Sequence, residues 1–173
     1  TLITSSAASD VYKRQLINAV QQISNAKSQK PYTLVKAKGW HKGVIGIIAS
    51  RLKDLYGGLC VAISIDGDIG HGSIRSTEQI DLTEILQELK YRNVLISGGG
   101  HKQAAGFSIL IDRLSEFDKV VTSHVSSLTS LKNPSTLLEV DGMIDIEAVN
   151  TDLINNLNLL GPFGSKVPQP ISV

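Results

Sequence analysis

The segment LCVAISI, from Leu59 to Ile65, restricts the fold of this chain more than any other feature of the sequence. It is almost entirely apolar, contains β-branched residues and lies between a glycine and an aspartate, so it predicts a short strand. A strand of this composition lies inside a sheet that is covered on both faces. The chain must therefore place packing layers on each side of it. Cys60, the single cysteine, lies in this strand and excludes an internal disulfide or a cysteine zinc cluster.

Strand and helix patterns alternate on either side of this segment. Alternating apolar and polar residues predict strands, whereas apolar residues three and four apart predict helices. In chain order the predicted elements are strand YTLVKA, helix GVIGIIASRLKDLY buried on more than one side, strand LCVAISI, a turn and strand in DGDIGHGSIRS, helix DLTEILQEL capped by Asp81 or Thr83, strand AAGFSILI, and an amphipathic helix from Arg113 to Leu131. This order predicts the α/β class, with a mixed β-sheet and flanking helices.

Three regions are expected along the 173 residues. Residues 1–30 contain a small, polar tail and then a connector helix from Val11 to about Gln29, capped by Asp10. Residues 31–133 form the α/β domain. Residues 134–173 hold a strand pattern, a helix pattern and a turn-rich end, which are too few to close a core, so they are expected to begin a second domain. The chain starts without methionine, and we expect a piece of a longer protein.

The charges of the chain are nearly balanced, with a formal net charge of +1. Such a chain has no overall basic field that would attract nucleic acid, so any anion site must be built from a few local groups. No stretch has the length of a membrane span, and the N-terminus lacks the pattern of a signal peptide. These features predict a soluble, cytoplasmic protein that does not bind a membrane.

Three segments combine glycine with a few polar side chains, and the first is GWHKGVIG. Trp40 and His41 end a predicted strand there, and Gly43 opens a predicted helix. Unpaired amides and the helix dipole favour anions at such a point, so His41 or Lys42 beside them would make a phosphate site. A tight turn between strand and helix, with Trp40 in the core, fits the same residues. Both interpretations remain open.

The second segment, GSIRS, offers hydroxyl groups at Ser73 and Ser76 and a planar fork of donors at Arg75. Guanidinium groups suit phosphate oxygens because they donate two parallel hydrogen bonds. Ser73 and Arg75 are two residues apart in a strand and therefore share one face. The alternative is a solvated arginine on the surface.

The third segment, GGGHKQAAGF, places His101 directly after three glycines. Runs of glycine mark backbone that bends sharply or that another group approaches closely. An imidazole at this place can donate to a phosphate, move a proton or bind a metal, although a lone histidine in a loop usually does none of these. Three such segments in one small domain favour one shared anionic ligand.

The sequence offers little to bind a metal or a nucleotide. Asp66 and Asp68 are the nearest approach to a carboxylate pair, and we interpret DGD as a turn; His71 and His124 have no convincing partner. The patterns GxxxxGK[ST], GxGxxG and GxSxG are absent. We therefore expect no metal site in this chain, which has phosphate-binding groups but no hydrolytic machinery.

The same three segments carry a family resemblance. GWHKGVIGIIASRL, GSIRS and GGGHKQAAGF, in this order and at these separations, resemble the DHH-associated domain of the RecJ family of single-stranded-DNA-specific exonucleases, within the DHH phosphoesterase superfamily. The resemblance runs from Tyr32 to Leu131. LLEVDG followed by GPFG is similar to the start of the OB-fold barrel of that family, while SKVPQP departs from its pattern. His71 stands where the family often has a lysine.

The resemblance implies a division of roles between domains. A DHH domain, expected to precede this chain, would bind Mn²⁺ or Mg²⁺ and activate water, whereas this chain would bind the substrate. His101 would contact the phosphate in the transition state, and the glycines before it would let the DNA backbone approach. The implied substrate-binding residues are Trp40, His41, Gly43, Ser73, Arg75, Ser76, Gly98, Gly99, Gly100 and His101.

The implied function is 5′–3′ digestion of single-stranded DNA in recombination and repair. A monomer is expected, with a repair helicase or a single-strand-binding protein as candidate partners, and the chain on its own is expected to be inactive. Two alternatives stay open. One is a DHH phosphodiesterase acting on short RNA or cyclic dinucleotides, which would end after the DHH-associated domain. The other is a non-catalytic nucleic-acid-binding relative that has lost its metal site.

Overall fold

The computed structural model describes residues 5–26, 30–129, 143–159 and 161. The chain divides into two compact units, Thr1–Asn133 and Pro134–Val173. The first unit contains α1 (Ser5–Ser24), β1 (Thr33–Lys38), α2 (Ile45–Tyr56), β2 (Leu59–Asp66), β3 (Ile69–Ser76), α3 (Leu82–Tyr91), β4 (Leu95–His101), β5 (Ala104–Leu110), a 3-10 turn (Ile111–Arg113) and α4 (Leu114–Thr129). The predicted α/β class with flanking helices is confirmed.

The five strands of this unit form one sheet in the order β1-β2-β3-β5-β4. β1 and β2 are parallel, and every other neighbouring pair is antiparallel. β2 has a strand on each side, and its first six residues are all buried. The apolar sequence of this strand predicted such a position.

Alternate residues of the strands contribute to two cores on opposite faces of the sheet. On the face that we call the α3–α4 face, strand residues pack with α3 and α4; members include Val61, Ile63, Ile74, Phe107, Ile109, Leu82, Ile85, Leu89, Phe117 and Val121. On the face that we call the α2 face, the core includes Val35, Cys60 and Ala62 of the strands, Trp40 of the loop before α2, Ile45, Ile48, Ala49 and Leu52 of α2, and Ala19 of α1. Both faces of β2 are therefore covered.

Two helices differ from their predictions. α1 begins at Ser5, so Asp10 lies inside this helix and does not cap it, and the helix ends at Ser24. The small residues before Asp10 have no periodicity, but serine and alanine are compatible with helix. α2 is amphipathic rather than buried on several sides, because Ile47 and Leu55 are 51% and 62% exposed. The predicted cap of α3 is confirmed: the Asp81 carboxylate accepts a hydrogen bond from the Thr83 N–H at 2.8 Å.

β4 is the element that the sequence did not reveal. Its sequence LISGGGH has three glycines, which suggested a flexible loop before His101. The segment is a strand at the edge of the sheet because it pairs with β5 from Leu95 to His101, with an irregularity between Leu95 and Ser97. Pairing with a neighbouring strand has overridden the weak intrinsic preference of glycine for strands.

The described residues of the second unit form a 3-10 turn, Ile146–Ala148, and α5, Thr151–Leu159. The Asn150 side chain caps α5 by accepting a hydrogen bond from the Leu153 N–H at 2.9 Å. The predicted helix is therefore present. Most of the predicted strand TLLEVDGMIDI, and GPFGSKVPQP after its first residue, lie outside the described residues, so the OB-fold start stays a prediction. None of the helices among the described residues is long and apolar enough to cross a membrane.

Gly72 of β3 is needed by the core on the α3–α4 face. A Cβ atom at this position would overlap the ring of Phe107. The Phe107 ring stacks on the Phe117 ring with the two centroids 5.0 Å apart, so it has little room to move away from an added methyl group. Gly72 therefore serves packing, rather than close approach by a ligand.

We expect Gly72→Ala to lower the free energy of unfolding by about 1–3 kcal/mol, because the added methyl group overpacks a filled core. Gly99→Ala is the matched control, since a Cβ at Gly99 meets no atom of the described residues within 4 Å. Urea unfolding followed by circular dichroism measures both variants. Equal stability of the two would contradict the packing role of Gly72.

Candidate phosphate-binding site

A polar surface lies on the α2 face of the sheet, where β3, β5 and β4 run side by side. The strand register gives three rows of residues that share this face: Arg75–Ala104–His101, Ser73–Gly106–Gly99 and His71–Ser108–Ser97. We call these nine residues the open face. His101, Gly99, Gly106 and Ser97 are exposed, and none of the nine has a side chain larger than histidine except Arg75. The surface therefore offers a floor of small residues bordered by hydrogen-bonding groups.

The Arg75 guanidinium is held in place by its own strand. Its Nη1 donates to the Ser73 Oγ and to the Ile74 carbonyl, both at 2.8 Å. Burial lowers the pKa of Arg75 from its ordinary value, but an arginine stays protonated in a protein. Among the described residues, the Nη2 amino group has no hydrogen-bond partner. Arg75 thus supplies a fixed cation with donors to spare.

The first turn of α2 lies against the Arg75 and Ser73 side chains. A Cβ atom at Gly46 would lie 3.1 Å from the Arg75 Nη2 and 3.5 Å from the Ser73 Oγ. Glycine at this position therefore leaves room for the guanidinium. Gly46 is not among the site residues predicted from the sequence. A signal was present, because glycine in a helix is less stable than alanine by up to about 1 kcal/mol and so requires a reason.

His41 and Gly43 form a small hydrogen-bonded loop before α2. The Gly43 N–H donates to the His41 Nδ1 at 3.1 Å, so this amide is not free to bind an anion. The prediction that Gly43 opens the helix is wrong, since α2 begins at Ile45 with Val44 as N-cap. The His41 ring itself is exposed. Its Nε2 is the nitrogen left for a ligand.

Lys42, beside this loop, forms an ion pair with the end of β2, at the turn to β3. Its Nζ lies 3.0 Å from the Asp66 Oδ2. The hydrogen bond from Lys42 and its charge lower the pKa of the exposed Asp66 carboxyl. Gly67 has a φ of 58°, as a tight turn requires, which confirms the interpretation of DGD as a turn. No three His, Cys, Asp or Glu side chains of the described residues lie together as a metal site would require.

Trp40 and Ser76 do not present their side chains to the open face. Trp40 is 7% exposed and packs in the core under α2. Its position agrees with the interpretation in which Trp40 fills the core, and not with the one in which it contacts a ligand. Ser76 directly follows Arg75 in β3 and therefore points to the opposite face. Its hydroxyl donates to the Ile80 carbonyl at 2.9 Å. The structure thus places both away from the other predicted site residues.

The three glycines of β4 have different surroundings. A Cβ at Gly98 would lie 3.1 Å from the Leu95 Cδ1, and one at Gly100 would overlap the backbone of Ala104 and Ala105. A side chain at Gly100 would therefore clash with backbone, whereas one at Gly98 would require the Leu95 side chain to shift by a few tenths of an ångström. A Cβ at Gly99 would meet no atom within 4 Å among the described residues. Of the three, Gly99 is therefore the one that leaves space for a ligand on the open face.

His101 ends β4 and lies in the same row as Arg75. Both residues pair with Ala104, one from each side, so their Cα atoms are roughly 10 Å apart by the usual spacing of strands. The His101 ring is exposed. The two residues therefore border the same row of the open face from opposite ends. The arrangement brings together a fixed cation, a hydroxyl, an imidazole and bare backbone.

Residues 29–127 match the DHHA1 domain family, which is more than half of the chain. The chain belongs to this family. Its relatives include the single-stranded-DNA-specific exonuclease RecJ of Haemophilus influenzae, which is 26% identical over 162 residues. That alignment takes in 91% of this chain and 28% of the relative. The resemblance to RecJ is confirmed, and the chain spans less than a third of the relative's length.

Solved structures agree on the fold. RecJ from Thermus thermophilus in complex with Mg²⁺ matches 94% of this chain and 24% of its own, with a TM-score of 0.72 and 22% sequence identity. The same protein in complex with Mn²⁺ gives the same TM-score and identity over 23% of its chain. These likenesses establish the fold of the sheet and its helices.

We expect Gly46→Ala to weaken ligand binding without lowering the stability of the domain. The added Cβ would lie 3.1 Å from the Arg75 Nη2 and crowd the guanidinium, so we expect about tenfold weaker binding of a phosphorylated ligand, the equivalent of one charge-assisted hydrogen bond. The stability should be unchanged or rise by up to about 1 kcal/mol, because alanine favours helix. Fluorescence anisotropy and thermal unfolding measure the two effects.

Ile47→Ala is the control for this variant, because Ile47 is the next residue of α2 and is 51% exposed. It should leave binding of that ligand unchanged. Unaltered binding in Gly46→Ala would show that Gly46 does not act by making room for Arg75.

Proposed function

We propose that this chain is the substrate-binding part of a 5′–3′ exonuclease that degrades single-stranded DNA in recombination and repair. In this proposal the open face binds a phosphate of the DNA. The observation that carries it is the Arg75 guanidinium, fixed by Ser73 beneath the glycine of α2 and beside an uncovered floor of small residues. The relationship to RecJ, which is a single-stranded-DNA-specific exonuclease, supports the choice of substrate.

Residues from two neighbouring rows of the open face have distinct parts in phosphate binding. Arg75 neutralises the phosphate and donates hydrogen bonds, and Ser73 holds the guanidinium in its orientation. His101 donates a hydrogen bond from the other end of the row as negative charge develops on the phosphate oxygens. Gly99 and Gly106 let the sugar–phosphate backbone lie close to the sheet. Prearranged donors of this kind stabilise a transition state because they need no reorganisation during the reaction.

The described residues of this chain do not fit a divalent metal ion, because they bring no cluster of three potential ligands together. In the proposed whole protein a DHH domain outside this chain would bind Mn²⁺ or Mg²⁺, which activates water for hydrolysis. The structures of RecJ with Mg²⁺ and Mn²⁺ support the use of such ions in relatives. Our chain would bind and orient the substrate against that centre.

The dimensions of the open face favour a single strand. Three adjacent strands span roughly 10 Å between the outer two, which accommodates one DNA backbone. Local positive charge matters more here than overall charge, since the chain carries a net charge of only +1. A monomeric state and a repair helicase or single-strand-binding protein as partner remain predictions, and so does the cytoplasmic location that the sequence features predict.

We expect the chain to bind a 5′-phosphorylated single strand more tightly than its unphosphorylated twin or a duplex. Arg75→Ala and His101→Ala should each reduce that preference about tenfold, because each removes a charged or polar contact to the phosphate. Arg75→Lys should recover only part of the loss, since an ammonium group cannot reproduce the planar fork. Fluorescence-anisotropy titrations with the three DNA ligands measure the preference.

The control is Arg51→Ala, which removes an exposed arginine in the second half of α2. If Arg75→Ala, His101→Ala and Arg51→Ala behave alike, the binding is general electrostatic attraction, and the proposed site is wrong. Tighter binding of short RNA or of a cyclic dinucleotide than of single-stranded DNA would favour the phosphodiesterase alternative.

We further expect the purified chain to show negligible nuclease activity with Mn²⁺ or Mg²⁺, since the residues that would bind the metal are proposed to lie in a separate domain. Release of labelled nucleotides from single-stranded DNA is the measurement. Metal-dependent degradation that persists in Arg75→Ala and His101→Ala would contradict the proposed division of roles.

A further inference from the structure

The turn that follows His101 is held by groups from other elements. Lys102 and Gln103 are the two residues between β4 and β5. The Lys102 carbonyl accepts a hydrogen bond at 2.8 Å from the Leu82 N–H, at the start of α3. The Gln103 carbonyl accepts one at 3.0 Å from the Ser76 N–H, at the end of β3. Both carbonyl groups of the turn are therefore bound by elements outside this hairpin.

The Ser76 hydroxyl adds a further contact to the turn. Ser76 is 3% exposed, and its Oγ lies 2.9 Å from the Ile80 carbonyl oxygen and 3.3 Å from the Lys102 carbonyl oxygen. A hydroxyl group has a single proton, so the shorter contact is the stronger hydrogen bond and the longer one supplements it. Ser76 thus binds the turn through its backbone and its side chain at once.

The hairpin lacks the local support that a two-residue turn usually has. Turns of this length favour types I′ and II′, which place residues at positive φ. Among the described residues other than glycine, Asn93 alone has a positive φ, so Lys102 and Gln103 form neither type. β4 contributes little stiffness, because it lies at the edge of the sheet and contains three successive glycines. Contacts from outside the hairpin must therefore set the position of His101.

Ser76 connects this hairpin to the cation of the phosphate site. It directly follows Arg75 in β3, and Arg75 and His101 border the same row of the open face. The connection between these two residues runs through the backbone of β3, the hydrogen bonds from Ser76 to the turn, and the backbone from Lys102 to His101. A change at Ser76 therefore alters the position of His101 relative to Arg75 without removing either side chain.

We propose that Ser76 is a positioning residue of the phosphate site, which holds the His101 hairpin in a fixed place relative to Arg75. The family resemblance implied that Ser76 contacts the substrate, whereas its hydroxyl is bound to carbonyl groups of the protein. Ser76 acts through His101 and does not touch the ligand. This role rests on the proposed function, because it affects binding only where His101 contacts a phosphate.

Amide hydrogen exchange measures the hold on the turn without any ligand. The N–H groups of Leu82 and of residue 76 donate to the turn, so their exchange rates report these bonds directly. We expect Ser76→Ala to accelerate exchange of both amides about tenfold, with little change in the amides of β2. Ser76→Cys should behave like Ser76→Ala, because a thiol is only a weak donor.

Gln103→Ala is the matched control for the exchange measurement. It keeps the turn carbonyl that accepts from the Ser76 N–H and removes only an exposed, uncharged side chain. Both exchange rates should stay as they are in the unaltered chain. Thermal unfolding confirms that each variant is folded. If Ser76→Ala does not fold, Ser76→Cys carries the test, because it changes the volume of the side chain least.

A double-mutant cycle tests whether Ser76 acts through His101. We expect Ser76→Ala and Ser76→Cys to weaken binding of 5′-phosphorylated single-stranded DNA about fivefold, and Gln103→Ala to leave it unchanged. In a His101→Ala background, Ser76→Ala should cause no further loss, because the side chain that Ser76 positions is gone. Fluorescence-anisotropy titrations of the single and double variants measure this coupling.

The outcomes distinguish the role of Ser76 from the phosphate site itself. Three results would overturn the positioning role and leave the phosphate site standing: unchanged exchange at Leu82 in Ser76→Ala, unaltered binding and exchange in Ser76→Cys, or an equal loss of affinity with and without His101. If the unaltered chain binds the phosphorylated strand no better than its unphosphorylated twin, the proposed function fails, and the positioning role fails together with it.

Discussion

The alternation of side chains along β3 is the constraint on which the rest of this domain depends. Gly72, Ile74 and Ser76 point into the core beneath α3 and α4, where the ring of Phe107 occupies the space that Gly72 leaves. The intervening Ser73 and Arg75 must then share the other face. The requirement for a filled core on one side thus sets which polar groups appear together on the other.

The second determinant of the candidate site is that the helices cover the two faces of the sheet unequally. α2 packs over β2 and β3, and its Gly46 lies against the guanidinium of Arg75. Gly106 of β5 and Gly99 of β4 remain exposed on that face. A charged side chain fixed at the edge of a packed helix, beside bare backbone, is a suitable place for an anion in a chain of nearly neutral net charge.

Several features were predictable because they depend on neighbouring residues alone. Asp81 caps α3 through the amide two residues later, and the apolar segment of β2 lies between two cores. Others depended on distant partners. Glycine has little tendency to form strands, so β4 exists because β5 pairs with it. For Trp40, the sequence left a core position and a ligand contact equally open, and packing under α2 placed it in the core.

The sequence by itself determined the class of the fold, the family resemblance and the common face of Ser73 and Arg75, because a strand repeats every two residues wherever it lies. Only the tertiary structure decided that His101 shares a row with Arg75, that Gly99 rather than Gly98 or Gly100 faces the ligand side, and that Gly46 borders the site. The physical reason is the order of the sheet. β5 is inserted between β3 and β4, and such a pairing between segments distant in sequence leaves no local pattern.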